Sequence, residues 1–117
     1  MLENIKFSYS VAEKQNNLFT NQHVVYKCKI QYNGKSYTFT YQCNPRYTKP
    51  ELRDVLDCLF SDASAGQYNL DDFFSEFGYT KPSDAIKAHK ACICTMKALK
   101  RLFGDEYGAI QDEIQGL

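Results

Sequence analysis

Candidate nucleophiles, bases and metal ligands are sparse in this chain. The cysteines are Cys28, Cys43, Cys58, Cys92 and Cys94, and the histidines are His23 and His89. No Cys/His spacing among them matches a zinc site. Cys58, Cys92 or Ser61 could be imagined as a nucleophile served by His89 and an aspartate, but no G-x-S-x-G and no Cys/His signature surrounds them. A cysteine on a helix flank more often behaves as a small hydrophobe. The six glycines are scattered, and none builds the phosphate-cradling G-x-G-x-x-G or P-loop pattern. The sequence therefore predicts no enzyme, no cofactor and no metal. An odd cysteine count without C-x-x-C spacing fits a reduced, intracellular protein.

Charge is the more informative signal. The formal net charge is zero, so no global field attracts nucleic acid or anionic lipid. The charges are nevertheless sorted along the chain. Residues 1–50 are mainly basic, and the stretch that follows is acidic. Asp54, Asp57, Asp62, Asp71, Asp72 and Glu76 fall within 23 residues. Such a cluster is usually a solvated surface with acids at helix N-termini, and its functional form is a patch that docks on a basic protein surface. Lys87, Lys90, Lys97, Lys100 and Arg101 follow with no acid between them. On a helix, Lys90, Lys97 and Arg101 fall near one stripe that could lie along phosphates. The plainer account is a solvated face partly neutralised by the acids. No aromatic residue interleaves with these lysines, so base stacking is not indicated.

These residues must be carried by a fold, and the pattern predicts an α+β one. Ile5, Phe7, Tyr9 and Val11 alternate with polar residues over 4–12, the period of a half-buried strand. Asn33-Gly34 divides two further alternating runs, 23–32 and 35–43. That dipeptide is the strongest short-range hairpin signal because both central residues need positive φ. A two-residue loop sets Tyr32 opposite Lys35, Ile30 opposite Tyr37, Cys28 opposite Phe39, Tyr26 opposite Tyr41 and Val24 opposite Cys43. Lys14 to Asn21 reads as a loop, with Leu18 and Phe19 able to tuck inward.

Thr48-Lys49-Pro50-Glu51 reads as a helix start with a capping box. Leu52, Val55, Leu56, Leu59 and Phe60 then mark a core stripe. Ser64-Ala65-Gly66 breaks this helix, and Asn69 caps a second one whose inner face is Leu70, Phe73, Phe74 and Phe77. Gly78 ends it. A long helix starts at Lys81-Pro82 and stops at Gly104. Its seam includes Ala85, His89, Cys92, Met96, Leu99 and Phe103, which makes His89 a hydrogen-bonded histidine at the core edge. Residues 105–115 form one more short helix with Ile110 and Ile114 inward. The expectation is one domain over 1–117: a three-stranded antiparallel meander in 1–47, packed against three to four helices in 48–117. A hydrophobic content of 44% suits a folded globule, and no apolar run has signal-peptide or membrane length.

CLFSDAS (58–64), DDFFSEFGY (71–79) and HKAC (89–92) together resemble small proteins encoded by bacteriophages and prophages, which carry a CLLSDAS-like run, an acidic-aromatic helix ending SEFGYD, and a charged helix with a KAC-like segment. The YNGKSYTFTY hairpin is similar in kind. Thr80-Lys81-Pro82 departs from the acid that follows GY in that pattern. The resemblance implies a phage accessory protein in the bacterial cytoplasm. By analogy of setting it implies an inhibitor of host defence, such as an anti-CRISPR protein occluding an effector complex. Its partner would be a basic protein or nucleoprotein surface met by the acidic residues. The alternative is a phage nucleic-acid-binding protein that uses the basic helix 85–103.

Overall fold

The turn at Asn33-Gly34 sets the first half of the molecule. In the computed structural model, which describes residues 2–15, 23–43 and 49–116, φ is 49° at Asn33 and 77° at Gly34. Both central residues are left-handed, as a type I′ turn requires, and its twist matches that of the strands it joins. The register is the one the sequence predicts, with Tyr32 paired to Lys35, Ile30 to Tyr37, Cys28 to Phe39, Tyr26 to Tyr41 and Val24 to Cys43.

The described chain forms two compact units, Met1–Val55 and Leu56–Leu117. In the first, β1 (Lys6–Gln15), β2 (His23–Tyr32) and β3 (Lys35–Cys43) make one antiparallel sheet in the order β1-β2-β3. Phe7 pairs with Ile30, Tyr9 with Cys28 and Val11 with Tyr26, and a bulge follows between Val11 and Glu13. One face thus collects the apolar residues of all three strands. Ile30 and Cys28, on the central strand, are fully buried. Burial fades from Ile5, just before β1, to Tyr9 and Val11 within it, which are exposed. Ring contacts continue across that face, with Tyr9 edge-on to Tyr26 at 5.5 Å and Tyr37 stacked on Phe39 at 5.1 Å. Burial also pushes the Cys28 thiol up to about 11, with a smaller contribution from Cys43.

The strand starts two residues later than the alternation suggests. Leu2–Asn4 coil as a short 3-10 turn, and Ile5 N–H donates to Leu2 O at 3.0 Å. The strand also runs to Gln15, past the expected end, because the bulge takes up one residue and lets pairing resume. The loop expectation for Leu18 and Phe19 lies outside the described residues.

The helices are α1 (Leu52–Ala65), α2 (Leu70–Glu76), α3 (Pro82–Phe103) and α4 (Tyr107–Gln115). The fold is α+β. The start of α1 corrects the capping-box expectation. Val55 N–H donates to Glu51 O at 2.9 Å, so Glu51 holds the N-cap position and Pro50 precedes the helix. The residue before a proline is steered out of the α region, which opposes a helix begun at Lys49. Thr48 lies outside the described residues. Val55, Leu56, Leu59, Phe60 and Ala63 are buried, as the 3.6-residue period requires. In the second unit Phe60 stacks on Phe103 at 6.0 Å and meets Tyr107 edge-on at 5.3 Å, and Leu99, Leu102, Ile110 and Ile114 are buried as well. Among the described residues no helix is long and apolar enough to cross a membrane.

Gly34→Val should destabilise the protein by about 1–2 kcal/mol, the cost of a β-branched residue in the left-handed region. Urea denaturation with an unchanged m-value checks this.

Candidate functional site

The acidic stretch is positioned by a close approach of backbone to backbone. α1 ends at Ala65, and the chain turns at Gly66. A Cβ on Gly66 would lie 2.8 Å from Cys92 O and 3.0 Å from Ile93 N. Only glycine lets the turn rest against α3 this closely. Two polar ties reinforce it. His89 Nε2 lies 2.7 Å from Tyr68 O. A carbonyl can only accept, so Nε2–H donates. His89 is half-buried, as expected of a core-edge histidine, and its ring lies 5.0 Å from that of Phe73. From α4, Gln111 Nε2 donates to Ser64 Oγ at 3.3 Å and Gln115 Nε2 to Ser61 Oγ at 3.5 Å.

Asn69 caps α2 as predicted. Its Oδ1 accepts from Asp72 N–H at 2.8 Å, and its Nδ2 donates to Asp72 Oδ2 at 3.1 Å. Gly78, at φ 67°, turns the chain out of the helix. The inner face, however, is not as the spacing predicts. Phe73 is buried and Phe74 half-buried, but Leu70 is 38% and Phe77 48% exposed. A seven-residue helix has one central inward position. Phe73 takes it, against Phe77, Tyr79 and His89. Leu70 and Phe77 lie one turn to either side, at the ends of the helix, where less surrounds them. Tyr68, edge-on to Phe77 at 5.7 Å, is 41% exposed, and Ile86 of α3 is 40% exposed.

Two concavities flank α2. One, of about 680 Å³, includes Ser61, Ser64, Tyr68, Asn69, Asp72 and Phe77 in its wall. The other, of about 250 Å³, lies between Leu70, Asp71, Phe74, Pro82, Ala85 and Ile86. Consecutive residues, Asp71 and Asp72, therefore give each concavity one carboxylate.

The six predicted acids do not share one face. All six are exposed. Asp57 and Asp62 lie about 140° apart around α1, at 100° per residue. Asp72 and Glu76 share a stripe of α2, four residues apart. Asp62 differs from the others: partial burial of its carboxyl raises its pKa above the usual carboxylate value. Its charge in turn adds to the burial that raises the Cys92 thiol. In the alternative site, Lys87, Lys90, Lys97, Lys100 and Arg101 are all exposed on α3; Lys90, Lys97 and Arg101 fall within about 40° of one stripe, with Lys87 and Lys100 flanking it about 140° apart, and the set is about 21 Å long at 1.5 Å per residue. Lys100 Nζ sits 5.8 Å from the centre of the Tyr107 ring.

All five cysteines are free thiols. Among the described residues no group of three or more His, Cys, Asp or Glu could hold a metal ion. No family model matches the chain, and no curated protein or solved structure is similar to it.

Two measurements test this description. Gly66→Ala should cost about 1–3 kcal/mol, because the new methyl meets backbone that cannot rotate away; thermal melting reads it as a lowered Tm. Asp62→Asn should be more stable than the parent at neutral pH. With its folded pKa raised, Asp62 favours the folded state when protonated, and that contribution is lost as pH rises through the folded value. The variant's advantage should shrink as pH falls through that folded value and be gone below about 4, the unfolded value. Denaturation curves from pH 3 to pH 7 check the sign.

Proposed function

We propose that this chain is a phage-encoded inhibitor of a bacterial defence system, an anti-CRISPR protein that occludes a nucleoprotein effector by binding it through α2 and its borders. The supporting observation is the coincidence of exposed aromatic and aliphatic side chains with carboxylates. Tyr68, Leu70, Phe77 and Ile86 are exposed beside Asp71, Asp72 and Glu76, around a helix with a concavity on each side. Interfaces draw most of their energy from a few aromatic and aliphatic anchors seated in pockets, with a polar rim. The acids supply orientation and rate, since a basic nucleic-acid channel attracts them at long range. The i, i+4 pair Asp72 and Glu76 costs the isolated helix about 0.2–0.5 kcal/mol in repulsion. A basic partner removes that cost. The phage setting comes from the resemblance of residues 58–92, and the choice of defence system is an analogy of setting.

A second reading is favoured by one feature, the exposed basic flank of α3. There the chain would be a phage nucleic-acid-binding protein, with Lys87, Lys90, Lys97, Lys100 and Arg101 along phosphates.

A phage-plaquing assay in CRISPR-immune cells separates the two. Tyr68→Ala with Phe77→Ala, and separately Asp57→Lys with Asp71→Lys and Glu76→Lys, should each lower phage protection at least tenfold. Exposed charge changes typically shift stability by only about 0.5 kcal/mol, so melting curves should stay close to the parent's. Lys90→Glu with Lys97→Glu and Arg101→Glu should retain protection. If the α2 variants protect fully and the α3 variant does not, the nucleic-acid reading replaces the inhibitor. If the parent protects phage in no defence background, the inhibitor reading is discarded.

A further inference from the structure

We infer that the outer face of the three-stranded sheet binds the phosphate backbone of nucleic acid, independently of base sequence. The register builds this face in three rows: Lys6–Gln31–Ser36, Ser8–Lys29–Thr38 and Ser10–Lys27–Thr40. All nine residues are exposed. These three rows hold three lysines, four hydroxyls on the outer strands beside them, one further serine and one glutamine, and no carboxylate; beyond them the register continues with the row Glu13–Val25–Gln42. Neighbouring rows are about 7 Å apart and neighbouring strands about 4.8 Å, so the three ammonium groups track up one side of the sheet.

A second observation extends this track. At the hairpin end lies a concavity of about 330 Å³, lined among others by Asn4, Lys6, Gln31, Asn33, Lys35 and Ser36. It shares Lys6, Gln31 and Ser36 with the first row and adds a fourth lysine. No acid lines it. A concave seat of two lysines and several amide and hydroxyl donors suits a phosphate group, and the flat rows beyond it continue the same chemistry.

The face also excludes other ligands. The three rows carry no aromatic ring, and Tyr32 in the wall of the concavity is only 3% exposed, so bases do not stack here. Serine, threonine and glutamine beside lysine are the usual contacts to phosphate and sugar, which position a strand without reading it. The three rows present no apolar side chain to insert between lipids, as a membrane-surface element requires, and Val25 in the next row is half-buried. This inference does not rest on the inhibitor reading, since its residues belong to the other compact unit, and it assigns nucleic-acid contact to residues other than those of the basic helix.

The test is fluorescence anisotropy of the full chain with a labelled 20-base-pair DNA duplex, a 20-nucleotide DNA strand and an RNA strand of the same length, between 50 and 200 mM salt. Each phosphate neutralised on a duplex contributes about −0.9 to the salt slope. Three or four contacts give a slope of about −3, or about a 60-fold loss of affinity over that range. The variant Lys6→Gln, Lys27→Gln, Lys29→Gln should lose at least tenfold in affinity at 50 mM salt and most of the slope. The variant Lys90→Gln, Lys97→Gln, Arg101→Gln should bind within twofold of the parent. Circular dichroism checks that each variant folds. Should the triple sheet variant not fold, Lys27→Gln and Lys29→Gln alone are each expected to reduce the slope by about 0.9. The inference is overturned if the parent binds none of the three probes at 50 mM salt, if the folded sheet variants bind as the parent does, or if the α3 variant abolishes binding. Equal binding to phosphatidylserine vesicles would overturn it as well, by assigning the face to lipid.

Discussion

The approach of Gly66 to the backbone of α3 is the constraint on which the second unit depends. Its missing side chain lets the turn after α1 lie against the Cys92 carbonyl, within 2.8 Å of where a Cβ would stand. The Tyr68 carbonyl then comes within reach of His89, and α2 starts from Asn69 with its cap formed. Phe73 enters the core beside His89, and Tyr68 and Phe77 are left at the surface with their rings edge to face. Thus a steric permission at one residue decides where the aromatic and acidic side chains of α2 are displayed. Asp62 lies in the same neighbourhood, and the partial loss of its hydration is a local consequence of that closeness.

In the first unit the equivalent constraint is register. Side chains alternate across a strand with a period of two, so a slip of one residue would exchange the two faces. The Asn33-Gly34 turn prevents that slip. It commits Cys28, Ile30, Tyr37 and Phe39 to one face and Lys27, Lys29, Thr38 and Thr40 to the other. The basic character of the outer face is therefore a product of the turn as much as of the lysines.

The charge sorting visible along the chain becomes three surfaces with different chemistry. The acids around α2 are interleaved with exposed apolar groups, a composition suited to protein contact. The three outer rows of the sheet from Lys6 to Thr40 are basic and hydroxyl-rich, without such groups. The flank of α3 is basic and linear, and Lys100 there is engaged with the Tyr107 ring. Net charge zero conceals this sorting, because the opposing charges lie on different elements.

The sequence alone determined the elements whose cause is local. The Asn-Gly hairpin and its pairings, the Asn69 cap, the Gly78 and Gly104 stops and the inward places of Ile110 and Ile114 follow from backbone dihedrals and side-chain period, which neighbours in sequence control. It also exposed the acids and lysines, since charged side chains stay in water unless paired. Tertiary structure decided the rest. The spacing of Leu70, Phe73, Phe74 and Phe77 states that one side of α2 is apolar, but not how much of that side is covered. Coverage depends on what surrounds each position, and here Phe73 is enclosed while Leu70 and Phe77 are not. Periodicity likewise assigns Tyr9 and Val11 to the apolar face of the sheet, although both remain exposed on an edge strand. The division of Asp71 and Asp72 between two concavities, and the closeness of Asp62 to Cys92, required α3 to be in place. Such features arise from contacts between residues far apart in the chain, and no window of sequence contains both partners.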